Sequence, residues 1–75
     1  MRVKIVGYTD SDGADAANLD LSKRRAASVR NELVKSFGIE GSRLESDGKG
    51  EASPVAPNDT PSNKALNRRV EFIKL

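Results

Sequence analysis

The sequence predicts an α/β fold of the two-layer α+β kind: a small mixed sheet with one main helix packed on one face. Three observations point there. Arg2-Val3-Lys4-Ile5-Val6 alternates polar and apolar residues at the two-residue period of a strand. Ala26, Val29, Leu33 and Phe37 fall on one stripe at helical spacing. Residues 69–75 form a second apolar run, with Val70 and Phe72 on one face and Ile73 and Leu75 on the other. The element order is β-α-β-(short helix)-β, and a parallel crossover through the helix would be right-handed.

The first strand is expected to be half-buried, with Val3 and Ile5 inward and Arg2 and Lys4 outward. Gly7 then permits a close backbone approach or a sharp change of direction. Residues 8–20 are rich in Asp, Ser, Gly, Ala and Asn, and Ser11-Asp12-Gly13 is a turn signal. Residues 14–19 suit a short helical turn. The main helix is expected over residues 22–37, with Ser22 as its N-cap or a start nearer Asn18, and Gly38 as its stop. Arg24, Ser28, Asn31 and Lys35 lie on the solvent side. Arg25 lies about 100° from the centre of the apolar stripe, so it can reach over the core edge where Arg24 cannot. Arg30 projects with the apolar stripe and is expected to snorkel at the rim.

Ile39 should pack back on the core. Residues 43–48 read as a polar second strand suited to an edge. Residues 49–60, with Pro54 and Pro57, read as a loop, and residues 61–66 as one helical turn. The last strand has two apolar faces, which favours a central place or cover on both sides.

At 75 residues the chain is one domain at most, with 36% apolar residues and only Tyr8, Phe37 and Phe72 as aromatics. Such a core is thin, so either the fold is very regular or part of the packing comes from a neighbouring segment or a second copy. A net charge of +2 from 13 basic and 11 acidic residues is too balanced to argue for nucleic acid. Without cysteine or histidine there are no disulfides, thiolate or imidazole metal sites, or histidine catalysis. No apolar run approaches the ~18 residues of a membrane helix. No signal peptide is read, because Met1 leads straight into a strand pattern.

The residues Ile5-Val6-Gly7-Tyr8-Thr9-Asp10, Gly13, Asn18, Leu21-Ser22-x-x-Arg25-Ala26, Gly38-Ile39, Gly48-x-Gly50-Glu51, Pro54-Val55-Ala56 and Asn67-Arg68-Arg69-Val70-Glu71 occur in one order along the whole chain. This pattern resembles the OmpA-like C-terminal domain, the peptidoglycan-associating domain of outer-membrane proteins, lipoproteins and flagellar stator subunits. The resemblance implies a non-enzymatic module, residues 1–75, that binds cell-wall peptidoglycan through the diaminopimelate of the stem peptide. It also implies a periplasmic home for the parent protein, at the outer membrane or cell wall, with no cofactor and no membrane insertion by this chain. The implied ligand-binding acid is Asp10 and the implied arginine is Arg25. Thr9, Asn18, Leu21 and the Asn67-Arg68-Arg69 segment line or support the pocket, with Arg69 the inward-facing arginine of its pair. Two departures stand out. Tyr8 replaces the usual histidine, and the strand and helix that normally precede the Ile5 strand are missing, as in a truncated domain. The rival expectation is a self-associating, homodimeric fragment without ligand binding.

A diaminopimelate end carries an ammonium and a carboxylate on one carbon. Asp10 suits the first, and Arg25 suits the second through a bidentate fork. Asp10, Asp12 and Asp15 lack the downstream acid of a calcium loop, and no Gly-Lys-Ser/Thr follows Gly7–Gly13 as a phosphate loop would require.

Overall fold

The computed structural model describes residues 1–75. Strand β1 (Val3–Gly7) leads into helix α1 (Asp15–Phe37). A 3₁₀ turn over Gly41–Arg43 precedes strand β2 (Leu44–Gly48), and helix α2 (Pro61–Asn67) precedes strand β3 (Val70–Lys74). The sheet order is β2-β1-β3. β1 pairs parallel with β2 and antiparallel with β3, so the sheet is mixed and α1 is the crossover of a β-α-β unit. The two-layer α+β expectation holds.

Ile5, Ala26 and Leu44 form the core, flanked by half-buried Val3, Val29, Leu33, Ile39 and Val70. Leu44 and Val3 are register partners, as are Ile5 and Phe72, so these side chains share the face that α1 covers. β1 is buried more fully than a half-buried strand, because Val6 on the opposite face is buried as well.

The main helix starts seven residues earlier than residue 22. Ser22 is not its N-cap and Asn18 does not start it; both are buried within the helix. The reason lies in the sheet beneath. Gly7 and Gly48 are register partners under Ser22, and a Cβ on either would fall 2.3 Å from helix atoms. Two absent side chains let the helix backbone descend onto the sheet, and a small polar residue fills the contact. The Ser22 hydroxyl donates to the Leu19 carbonyl at 2.8 Å and accepts the Gly50 N–H at 2.9 Å. The helix start itself is an extended Ala14 followed by Asp15, an acid that favours the positive end of the helix dipole.

The stop is as expected. Gly38 takes a left-handed conformation (φ 66°), and its N–H and that of Ile39 both reach the Leu33 carbonyl. Phe37 departs from the stripe and is 70% exposed. Phe37 is the last residue of α1, and the helix runs on about 22 Å from Ser22, which lies over the strand ends at Gly7 and Gly48, farther than the roughly 17 Å of a five-residue strand, so Phe37 lies past the sheet. Arg30 does not merely snorkel. Its Nε donates to the Leu44 carbonyl at 3.0 Å and its Nη2 to the Gly41 carbonyl at 2.8 Å, tying α1 to the start of β2.

β2 is an edge strand as expected, but β3 is the other edge and β1 the central strand. α1 lies over β1 and β2, which leaves Phe72 on the helix side of β3 59% exposed. The two apolar faces of β3 therefore do not mark a central strand. α2 is one residue longer than residues 61–66 and is capped by Thr60, whose Oγ1 accepts the Asn63 N–H at 3.1 Å.

Candidate functional site

The chain leaves β1 through Tyr8, Thr9 and Asp10, all buried. Two backbone bonds hold this exit. The Tyr8 N–H donates to the Arg69 carbonyl, and the Thr9 N–H to the Gly50 carbonyl, each at 2.8 Å. The next turn is fixed from inside. The Thr9 hydroxyl donates to the Asp10 carbonyl at 2.9 Å. The Asn18 amide donates to the carbonyls of Asp12 at 2.9 Å and Asp10 at 3.4 Å. Thr9 and Asn18 thus shape the loop that presents Asp10.

Asp10 is held at both oxygens. Oδ1 accepts the Asp12 N–H at 3.0 Å, and Oδ2 accepts Nη1 of Arg68 at 2.6 Å. The Arg68 bond is the main reason the Asp10 carboxyl titrates below its ordinary value. The Asp12 N–H and the charges of Arg68 and Lys64 act in the same direction, and burial opposes them. Lys64 pairs with Asp12 at 2.9 Å, and that hydrogen bond raises the lysine pKa. Each acid of the turn therefore has a cation from α2 or its end, which also supplies the charge a metal ion would bring.

Arg25 is exposed and makes no hydrogen bond or ion pair within the chain, while Arg24 is solvated and pairs with Asp20. Its direction follows from helix geometry. Arg30 is turned toward β2 by its two carbonyl bonds, and Lys23 lies over Gly48 of the same strand. Arg25 precedes Arg30 by five residues, about 140° around the helix. The buried face of Asn18, Ser22 and Ala26 lies between them, so Arg25 sits on the flank that looks toward β3. Half-buried Leu21, one turn earlier, shares that flank.

The arginine pair differs from the expectation. Arg69 is occupied structurally. It stacks over the Tyr8 ring at 3.8 Å from the centroid, pairs with Glu71 at 2.6 Å, and donates to the Ser53 and Asn67 carbonyls at 2.9 and 3.4 Å. Within the Asn67-Arg68-Arg69 segment, the arginine that reaches Asp10 is Arg68 and not Arg69. The signal was one of register: Arg69 pairs its backbone with Tyr8 and is committed to the sheet, whereas Arg68 ends α2. Tyr8 keeps the aromatic ring of the expected histidine position and uses it as the platform for Arg69.

Asn67 is fully buried and organises the loop beside the site. Its Oδ1 accepts the Val55 and Ala56 N–H groups at 2.8 and 3.1 Å, and its amide donates to Ala56 and Asn58. Asn58 in turn accepts the Ser11 N–H at 3.3 Å. The Asp10 turn, the proline loop and the end of α2 form one bonded unit.

Known proteins share this plan. Over 67 residues the chain is 52% identical to outer membrane porin F of Pseudomonas aeruginosa, matching 89% of this chain and 19% of the porin. It is 43% identical over 72 residues to the peptidoglycan-binding protein ArfA of Mycobacterium tuberculosis, matching 96% of this chain and 22% of that protein. In three dimensions it resembles the peptidoglycan-associated lipoprotein of Burkholderia pseudomallei with a TM-score of 0.90 at 32% identity, over 96% of this chain and 60% of that one. The chain thus spans less than two thirds of each of these relatives. The family they represent is structural and not enzymatic. Residues 1–68 match the model of the OmpA family, to which this chain belongs.

Proposed function

We propose that the chain is a binding module for peptidoglycan that holds the free end of a diaminopimelate residue in the stem peptide and so anchors its parent protein to the cell wall. The observation that carries this is the contrast between two charges. Asp10 is buried and fixed at the end of β1, while Arg25 stands unpaired on the α1 flank that looks toward β3. A ligand with an ammonium and a carboxylate on one carbon matches such a pair, the ammonium going to Asp10 and the carboxylate to the Arg25 fork. Leu21 offers an apolar contact to the ligand's methylene chain. The names of the relatives, a peptidoglycan-binding protein and a peptidoglycan-associated lipoprotein, support the ligand class. They also support a place in the periplasm at the outer membrane or wall. No helix is long and apolar enough to cross a membrane.

Co-sedimentation with purified sacculi tests the reading. The chain should pellet with diaminopimelate-type sacculi and much less with lysine-type sacculi. Equal pelleting would sink the diaminopimelate assignment, and no pelleting with either would sink peptidoglycan binding.

A second reading rests on a separate observation. Phe72 and Ile73 on β3, an edge strand, and Leu75 just past its end are exposed. Such an edge is a template for pairing with a second copy. Sedimentation at micromolar concentration decides this: a monomer throughout would remove the homodimer.

A further inference from the structure

Asp10, the residue expected to take the ligand's ammonium, already has a cation. Arg68 Nη1 lies 2.6 Å from its Oδ2. A ligand that brings an ammonium to Asp10 meets a guanidinium in its way. Three features of the pair show which member can yield. The Asp10 side chain is 9% exposed, and that of Arg68 is 45% exposed. Asp10 Oδ1 is pinned by the Asp12 N–H, so Oδ2 is the oxygen open to exchange. The Arg68 guanidinium has no other hydrogen bond in the chain, unlike the Arg69 guanidinium with its three. The carboxylate is the fixed half and the guanidinium the movable half. Lys64 is already paired, with Asp12 at 2.9 Å.

We propose that the ligand binds by insertion into the Asp10–Arg68 ion pair: its ammonium replaces Arg68 on Asp10 Oδ2, and the released guanidinium closes with Arg25 on its carboxylate. The inference rests on the peptidoglycan reading for the identity of the ligand, but its logic needs only a zwitterionic head group. Such a head group carries one charge of each sign on one carbon. Inserted between Asp10 and Arg68, it gives each ion a new partner and leaves no charge uncompensated. An amine alone would break the pair and leave Arg68 without an anion. A carboxylate alone has no reason to enter. The exchange makes Arg68 a ligand-binding residue and a source of selectivity for ligands bearing both charges.

Calorimetric titration of parent, Arg68→Gln and Arg68→Lys with diaminopimelate and with pentane-1,5-diamine, which keeps the ammonium groups but has no carboxylate, tests the exchange. The parent should favour diaminopimelate by about 10-fold or more, the worth of one charge-assisted contact. In Arg68→Gln that preference should collapse, with diaminopimelate binding weakened about 10-fold and diamine binding unchanged or tighter, because Asp10 is no longer occupied. Arg68→Lys should fall between. Equal loss of both ligands would show a structural role, and an unchanged preference would show no role; either overturns the exchange. A second arm separates this from the diaminopimelate reading. The Arg68 guanidinium ¹⁵N resonances should shift with D-alanine at millimolar concentration and stay in place with equal methylammonium or acetate. If D-alanine shifts them while diaminopimelate does not bind, insertion stands and the diaminopimelate reading falls. If D-alanine leaves them in place, insertion falls.

Discussion

Gly48 lies directly beneath Ser22, so close that a Cβ on Gly48 would sit 2.3 Å from both the Ser22 hydroxyl oxygen and the Lys23 backbone nitrogen. A serine rotamer can move, but a helix backbone atom cannot move alone. Gly48→Ala should therefore lift α1 from the sheet and destabilise the chain by about 1–3 kcal/mol or more, the range for overpacking a core. Gly38→Ala is the control. That Cβ meets nothing within 4 Å, and only the left-handed backbone resists it, at about 1–2 kcal/mol. Urea unfolding of both variants checks this. The near-ultraviolet signal of Tyr8, close to the glycine floor in sequence, should change in Gly48→Ala and not in Gly38→Ala.

Arg30 offers a second stability test. Its guanidinium satisfies two carbonyls at the entry to β2, Leu44 and Gly41. Arg30→Met keeps much of the aliphatic stem and removes both bonds, and should cost about 1.5–3 kcal/mol, the worth of hydrogen bonds to a charged group. Arg24→Met removes only a solvated pair with Asp20 and should change stability by less than about 1 kcal/mol. Similar losses in the two variants would refute the tie between α1 and β2.

The element order was legible in the sequence because period-two and period-3.6 patterns are local. Arg2–Val6 and Ala26–Val29–Leu33 need no knowledge of their partners. The helix start was not legible, for a physical reason. Asn18 and Ser22 have the chemistry of caps, and only the glycines at 7 and 48, brought beneath them by folding, explain why they are buried inside the helix. The place of β3 failed similarly. Two apolar faces read as a covered strand, but α1 lies chiefly over β1 and β2. At the site, Asp10 and Arg25 came from the resemblance to a family. The choice between Arg68 and Arg69 turns on where a helix ends and a strand begins, a one-residue matter that side-chain chemistry does not report.

The Asp10–Arg68 pair makes acid stability predictable in sign. The folded carboxyl titrates below its ordinary value of 3.8, chiefly through the Arg68 bond. Above that value Asp10 is ionised in folded and unfolded chains alike, and its stabilising contribution is complete. As pH falls past 3.8 the unfolded chain takes up the proton first, and the contribution is lost as pH drops through the folded pKa. Asp10→Asn should therefore lower the melting temperature at pH 7, and the gap to the parent should narrow steadily below pH 4. A gap independent of pH would show that Asp10 acts through packing alone.

Glu51 has the opposite sign. The neighbouring Asp15 carboxyl, with help from burial, raises its pKa above the ordinary 4.5, while a bond from Asn18 works against the rise. The folded chain then prefers the protonated acid, so stability falls as pH rises from 4.5 through the folded value, and the penalty is complete above it. Glu51→Gln should raise the melting temperature slightly at pH 7 and lose that gain below pH 4. A gain that persists in acid would point to packing instead of charge.

Arg25 is the place where fold and binding separate. Its guanidinium makes no bond within the chain, so removing it leaves no buried group unsatisfied. Arg25→Ala should leave the urea midpoint within about 0.5 kcal/mol of the parent, as for other solvent-facing substitutions. Its effect on ligand should be large. Loss of a bidentate guanidinium–carboxylate contact, worth about 1.5–3 kcal/mol per charge-assisted bond, should weaken diaminopimelate binding at least about 10-fold. Arg24→Ala, one position away and solvated, should leave binding intact. The ionic-strength dependence adds a check that geometry alone cannot imitate: the parent's affinity should fall with salt more steeply than that of Arg25→Ala, since one charge contact is gone. If Arg24→Ala and Arg25→Ala weakened binding equally, the effect would come from the general positive field of α1, and the two-charge site would be wrong.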